Sequence, residues 1–126
     1  MAETRPGEKS EVIRRLIRLF EAMNVDEALT MFTADARYRF GNYPAAVGRE
    51  DIRKAATSSH LEAIKGVRFN ILGLWEFGDV LVCEMDIEYI RTDDSVLTLP
   101  CTDVFRTEGN QIKDMRIYMD PSPLYA

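Results

Sequence analysis

The chain has 126 residues, of which 46% are apolar and 29% charged, and its 16 basic and 21 acidic side chains leave a formal charge of −5. A chain of this size buries roughly 65–68% of its unfolded surface, enough for one core without metal or disulfide staples. Its apolar content lies far from the disorder regime, and no apolar run approaches the ~18 residues of a spanning helix. The acidic balance argues against nucleic acid and against a membrane as partners, because the net field repels both anionic surfaces. Met1 to Ser10 hold no apolar signal core, so residues 1–9 read as a mobile lead, residues 10–126 as a single domain and the compartment as cytoplasmic. Cys83 and Cys101 sit in apolar runs without a close Cys or His partner, a pattern that favours buried thiols over a disulfide or reactive pair.

From Glu8 to Met23 the residues Ile13, Leu16, Ile17, Phe20 and Met23 recur at helical spacing, with Arg14, Arg15 and Arg18 on the other side. Asn24 followed by Glu27 resembles a capping box and predicts a second, short helix to about Phe32. From Ala36 the pattern alternates: Ala36, Tyr38 and Phe40 lie on one face and Arg37 and Arg39 on the other, which predicts a strand ending at Gly41. Gly48 leads into Arg49-Glu50-Asp51, whose acids suit a helix N-terminus, and Ile52, Ala55, Ala56 and Ala63 mark a third helix ended by Gly66. The remainder reads as strands separated by turn-prone clusters at Gly78-Asp79, Thr92 to Ser95 and Glu108-Gly109-Asn110. Helices first and a strand-rich antiparallel half afterwards is an α+β pattern.

The strand from Val80 to Ile90 has two unlike faces, with Leu81, Cys83, Met85, Ile87 and Tyr89 alternating with Val82, Glu84, Asp86 and Glu88. A tight hairpin centred on Asp93-Asp94 sets Glu84 opposite Asp103 and Asp86 opposite Cys101, gathering three carboxylates in a partly apolar patch. Enclosure there raises at least one carboxyl pKa toward neutrality, as a general acid or base requires. A slip of one residue separates them, and a solvated acidic stripe is the bland alternative. In the same register the Leu81-to-Tyr89 set lies on the outer face, suggesting a homodimer through the sheet unless another part of the chain covers it. A three-residue loop at Glu108 to Asn110 sets Met115, Ile117 and Met119 beside Asp103, as ligand walls or simply as core. Trp75 shares its parity with Phe69, Ile71 and Phe77 and reads as a core or cavity wall; His60, near the stripe of the third helix, reads more readily as structural than catalytic. Arg116, Tyr118 and Asp120 read as an interface or ion-pair ladder. No phosphate loop, metal spacing or nucleophilic Ser signature is present in the sequence.

The order of elements, together with Met31-Phe32-Thr33-Ala34-Asp35-Ala36, Val47-Gly48-Arg49-Glu50 and Cys101-Thr102-Asp103-Val104-Phe105-Arg106, resembles the nuclear-transport-factor-two-like (NTF2-like) superfamily, and within it the SnoaL-like group. The resemblance covers nearly the whole chain after the first ten residues. It implies a conical, cystatin-like/NTF2-like α+β barrel, a curved and largely antiparallel sheet wrapped around helices and an apolar cavity, commonly dimeric through the sheet. Asp103 matches the protonated aspartic acid that hydrogen-bonds the oxyanion in ketosteroid isomerases, whereas the isomerase Tyr falls at Leu16 and its general base near Phe40. Against limonene epoxide hydrolases, Tyr38 matches a water-positioning Tyr and Asp86 a catalytic Asp, while the partner Arg falls at Glu84 and the second Asp at Ile117. Both comparisons set Glu84, Asp86, Asp103, Met115 and Ile117 inside the cone and so favour the acids-inward register. SnoaL-like cyclases use a pocket acid for proton transfer during ring closure.

The resulting expectation is a SnoaL-like enzyme without cofactor or metal, performing isomerisation, cyclisation or hydration on a small apolar carbonyl- or polyketide-like ligand. Asp103 acts as neutral donor or general acid, Asp86 as proton acceptor, and Glu84 and Tyr38 as tuning groups. Phe40, Trp75, Leu16, Cys101, Met115, Ile117, Met119 and His60 line the ligand site. The alternative is a non-catalytic ligand-binding or dimeric interaction module on the same fold.

Overall fold

Glu8–Glu21 forms helix α1, burying Ile13, Leu16 and Ile17 while Arg15 and Arg18 stay exposed. Burial of one face, more than helix propensity, stabilises a helix of this length. In the computed structural model of the protein, which describes residues 7–57 and 64–125, α1 lies against the sheet and is fastened at its first turn. The buried Lys9 ammonium donates to Asp79, and the backbone amide and hydroxyl of Ser10 both donate to Glu76 Oε1, at 3.1 and 3.0 Å. Asn24 Oδ1 accepts from the Glu27 amide at 3.3 Å and starts α2, Val25–Leu29. The cap is as predicted, although Glu27 pairs with Arg15 rather than reaching back. None of the described helices is long and apolar enough to cross a membrane.

The first strand, β1, runs Phe32–Phe40, four residues longer at its start than the alternation predicts. Its pairing is irregular between Phe32 and Arg37, so Phe32 and Thr33 are both buried and the period-two signal emerges only from Ala36. After the short β2, Ala46–Val47, α3 covers Arg49–Ala56, and β3 begins at Ile64. Gly66 is therefore a strand residue opposite Ile90 and not a helix stop; a Cβ there would meet the Ile90 side chain at 3.4 Å. Ala63 and His60 lie outside the described residues.

β3 (Ile64–Phe77), β4 (Val80–Arg91), β5 (Val96–Glu108) and β6 (Gln111–Tyr118) form a long antiparallel meander, and β1 adds parallel to β6. The order is β2-β1-β6-β5-β4-β3: a mixed six-stranded sheet with helices over one face, the expected α+β architecture.

Loop length decides which side chains face the helices. Between β4 and β5, Arg91 rather than Thr92 pairs with Ser95: the Arg91 amide donates to the Ser95 carbonyl at 2.8 Å and Asp94 donates to the Arg91 carbonyl at 2.9 Å. Asp94 adopts φ 71°, and Asp93 Oδ1 accepts from both the Ser95 amide and hydroxyl. This is a three-residue loop closed by a left-handed residue, not the tight two-residue turn predicted. The shift of one residue sets Cys83 opposite Asp103, Met85 opposite Cys101, and Glu84 opposite Thr102. Every side chain of β4 thereby changes face relative to the expectation. Leu81, Cys83, Met85, Ile87 and Tyr89, expected on an outer dimer face, form the buried inner face. Facing the core, they offer no outer surface to a second copy of the chain.

The β5–β6 turn differs too, since Glu108 pairs with Gln111 around a two-residue loop and the irregularity falls between Arg106 and Thr107. The predicted outcome still holds, with Ile117 opposite Asp103 and Met115 opposite Phe105.

Candidate functional site

Alternation along four neighbouring strands converges on one pocket. Tyr38 and Phe40 from β1, Met115 and Ile117 from β6, Cys101 and Asp103 from β5, and Met85, Ile87 and Tyr89 from β4 line a cavity of about 320 Å³. Ile17 and Phe20 of α1 and Val67 and Phe69 of β3 close it from other sides, and Met23, in a left-handed turn after α1, contributes a half-exposed side chain. The volume falls at the lower end of the range usual for small-molecule sites.

Asp103 is the one acidic residue among the described cavity-lining residues, and no described Lys, Arg or His accompanies it. Its strand neighbours are Ile117 on one side and Cys83 on the other, and it is 4% exposed. Cys101 Sγ donates to its Oδ1 at 3.3 Å. Burial pushes the carboxyl up to about 7 from an ordinary 3.8, and the thiol hydrogen bond only partly opposes it. Among the described residues that thiol is its one hydrogen-bond partner, and Asp103 lines the cavity. The result is a carboxyl divided between acid and base near neutral pH, set among largely apolar walls.

Two phenols accompany it. Tyr38 and Tyr89 are both held protonated above the usual tyrosine range, first by burial and then by nearby acidic groups, Asp103 among them. Among the described residues the Tyr89 hydroxyl reaches only the Met119 sulfur, at 3.6 Å, a weak acceptor that a ligand oxygen readily replaces. Burial likewise pushes the Cys83 thiol up to about 12 and the Cys101 thiol higher, so neither is a thiolate at neutral pH.

The structure thus brings together Asp103, Tyr38, Phe40, Cys101, Met115, Ile117 and Met119 from the sequence expectation. It does not bring in Glu84 or Asp86, which the hairpin register turns to the outer face. Trp75 is also outside and 47% exposed: the bulge between Ile71 and Gly73 inverts the parity of β3, leaving Trp75 opposite Val82 with its ring over Gly73. Leu16 is fully buried in the core and does not line the cavity. His60 lies outside the described residues. Tyr89 was missed; its parity with Cys83 and Met85 would have found it had the loop been read as three residues.

No curated protein matches the chain in sequence. Among solved structures it is similar to an NTF2-like protein of unknown function from Burkholderia pseudomallei, with TM-score 0.80, 15% identity and coverage of 92% of this chain and 93% of the other. It is similar to a putative SnoaL-like polyketide cyclase from Jannaschia sp. CCS1, with TM-score 0.75, 16% identity and coverage of 98% and 95%. The epoxide hydrolase/cyclase-like enzyme SalBIII, described in pyran ring formation in the polyether salinomycin, gives TM-score 0.78, 20% identity and coverage of 92% and 93%. At these identities the likeness is one of fold. The SnoaL-like domain matches residues 13–115; with the mixed sheet and the helix-covered inner face already described, the chain belongs to the SnoaL-like family and has a fold like that of the NTF2-like structures.

Proposed function

We propose that the protein is a cofactor-independent acid–base enzyme acting on a small, largely apolar carbonyl compound, with Asp103 as its proton-transfer group. The observation that carries this reading is the one carboxyl among the described cavity-lining residues, pushed up to about 7 by burial. As carboxylate, Asp103 takes a proton from carbon beside the substrate carbonyl, and the Tyr38 or Tyr89 hydroxyl donates to the enolate oxygen as its charge develops. Return of that proton at a different carbon isomerises the substrate; attack of the enolate carbon on a second carbonyl closes a ring, its C=O π bond breaking to an alkoxide that takes the proton back from Asp103. The apolar walls exclude water and strengthen each of these polar contacts.

The test is hydrogen–deuterium exchange at the α-carbon of a compact bicyclic ketone, 2-tetralone, in D₂O, followed by NMR. Exchange rises with pH through an inflection near 7 and falls ~10²–10⁴-fold in Asp103→Asn, the usual range for a general base. Glu84→Gln and Asp86→Asn, both outside the cavity, keep wild-type exchange. An Asp103 carboxyl titrating near ~4, as exposed carboxyls do, together with no enzyme-dependent exchange, defeats the proposal.

One observation favours a second reading, a non-catalytic binder: no second acid or base shares the cavity among the described residues. Under that reading Asp103→Asn leaves apolar-ligand affinity nearly intact. A homodimer through the sheet remains part of the proposal, now supported by exposed Leu72, Trp75 and Phe77 near the β3 edge. Light scattering on wild type and Leu72→Lys tests it, and an oligomer indifferent to the substitution counts against this face.

A further inference from the structure

The outer face of the β1–β6 pair carries charge that the cavity does not explain. Arg37 and Arg39 leave β1 on that face, and Asp114 and Arg116 leave β6 beside them. The parallel register sets Arg37 against Asp114 but sets Arg39 directly against Arg116. Like charges at directly opposed sheet positions are destabilising, so this pair is held at a cost that an anion between them would remove. With Ala45, these side chains line a cleft of about 170 Å³.

The donors in the cleft are only partly used. Arg39 Nε donates to the Tyr43 carbonyl at 3.1 Å, and Arg116, whose Nε donates to Asp114 Oδ1 at 3.2 Å, also hydrogen-bonds the Tyr118 side chain. Arg37 has no hydrogen bond or ion pair among the described residues. Asp114 is also flanked on its far side by Arg106 of β5, so its charge is shared among several guanidiniums. Among the side chains that line the cleft itself, which exclude Arg106, three guanidiniums face one carboxylate in a chain whose overall balance is −5.

We propose that this cleft is a binding site for a phosphate monoester, held by the guanidiniums of Arg37, Arg39 and Arg116. A guanidinium fork matches phosphate oxygens two at a time. The excess of two positive charges is met by a phosphate dianion, whereas a carboxylate leaves one charge unbalanced. The site lies across the sheet from the cavity, on the ladder whose inward residues are Tyr38 and Met115, and does not depend on the acid–base reading of Asp103.

The experiment follows the arginine Nε–Hε signals by ¹H–¹⁵N NMR while inorganic phosphate, glycerol 3-phosphate or acetate is added at constant ionic strength. The expected result is one saturable curve shared by Arg37, Arg39 and Arg116 for phosphate and glycerol 3-phosphate, with acetate at least about tenfold weaker. Arg37→Gln and Arg39→Gln each weaken phosphate binding about tenfold or more, and Arg15→Gln, on the exposed side of α1, leaves the curve unchanged. Asp103→Asn also leaves it unchanged, which keeps this result separate from any failure of the cavity chemistry. Shifts without saturation, shifts equal in the helix arginines, or binding unaffected by Arg37→Gln and Arg39→Gln overturn the proposal.

Discussion

Along β4, Cys83, Met85, Ile87 and Tyr89 turn inward and are at most 5% exposed, while Glu84, Asp86 and Glu88, interleaved with them, turn to the open side of the sheet. Asp103 on the neighbouring strand has the same chemical group as Asp86 yet faces the cavity. The difference is one of face alone. An outward carboxylate keeps its water and its charge; an inward one without a cation must surrender part of its charge to stay. The functional signature in this molecule is therefore not an acidic cluster but one acid on the wrong side of a hydrophobic alternation.

The harshest way to break the comparison is to move a carboxylate across the strand. Met85 is 1% exposed and faces Cys101. Met85→Asp removes a packed side chain and buries a second acid beside Asp103, and urea unfolding at neutral pH is expected to show a loss of about 3–5 kcal/mol. Asp86→Asn, one residue along, stays within about 0.5 kcal/mol of wild type. Equal costs for the two would mean that the faces are wrongly assigned.

A second test uses pH in place of volume. Asp103 holds its proton to about 7 in the folded chain and to about 3.8 when unfolded, so the folded state binds more protons between those values. Its contribution is most favourable below pH ~4 and is lost as pH rises to about 7, amounting to about 4 kcal/mol in total. Asp103→Asn cannot titrate and lacks this slope. Denaturation at pH 5 and pH 8 should find the stability of wild type relative to Asp103→Asn falling by most of that amount. A difference independent of pH would mean that the carboxyl is hydrated.

The helices, the α+β order and the Met-Ile pairing with Asp103 were legible because each rests on a period that the sequence displays. Ile13, Leu16 and Ile17 recur at helical spacing, and the second half of β6 with the residue after it alternates cleanly from Met115 to Met119. Glu84, Asp86 and Trp75 were misplaced for a common reason: alternation gives two faces but does not say which is inside. That choice depends on one residue more or less in a loop or bulge, at Asp94 in the β4–β5 turn and at Leu72 in β3. Hydrophobicity by itself pointed the right way on β4, and the family comparison outweighed it. The Arg cleft was legible only as a set of charges; the parallel β1–β6 register that opposes Arg39 to Arg116 joins segments more than 70 residues apart.

The smallest expected effect bears on that loop. Asp94 sits at φ 71°, a region that Asp and Asn tolerate and β-branched residues resist. Asp94→Val should cost about 1–2 kcal/mol by urea unfolding. Asp94→Asn keeps the conformation and removes only the exposed pairing with Lys65, so it isolates the ion pair, worth about 0–1 kcal/mol. The register should survive either change. Slipping to a two-residue turn of type II′ would move the positive φ from position 94 to position 93, but it would expose Cys83, Met85, Ile87 and Tyr89, at about 1.5–3 kcal/mol for each large apolar side chain. That is several times the strain relieved, and the slip would also bury Glu84 and Asp86. Cross-strand NOEs between residues 83 and 103 should therefore persist in Asp94→Val. A hairpin that instead pairs Glu84 with Asp103 would show that the turn, and not the burial of the inner face, sets which acid reaches the cavity.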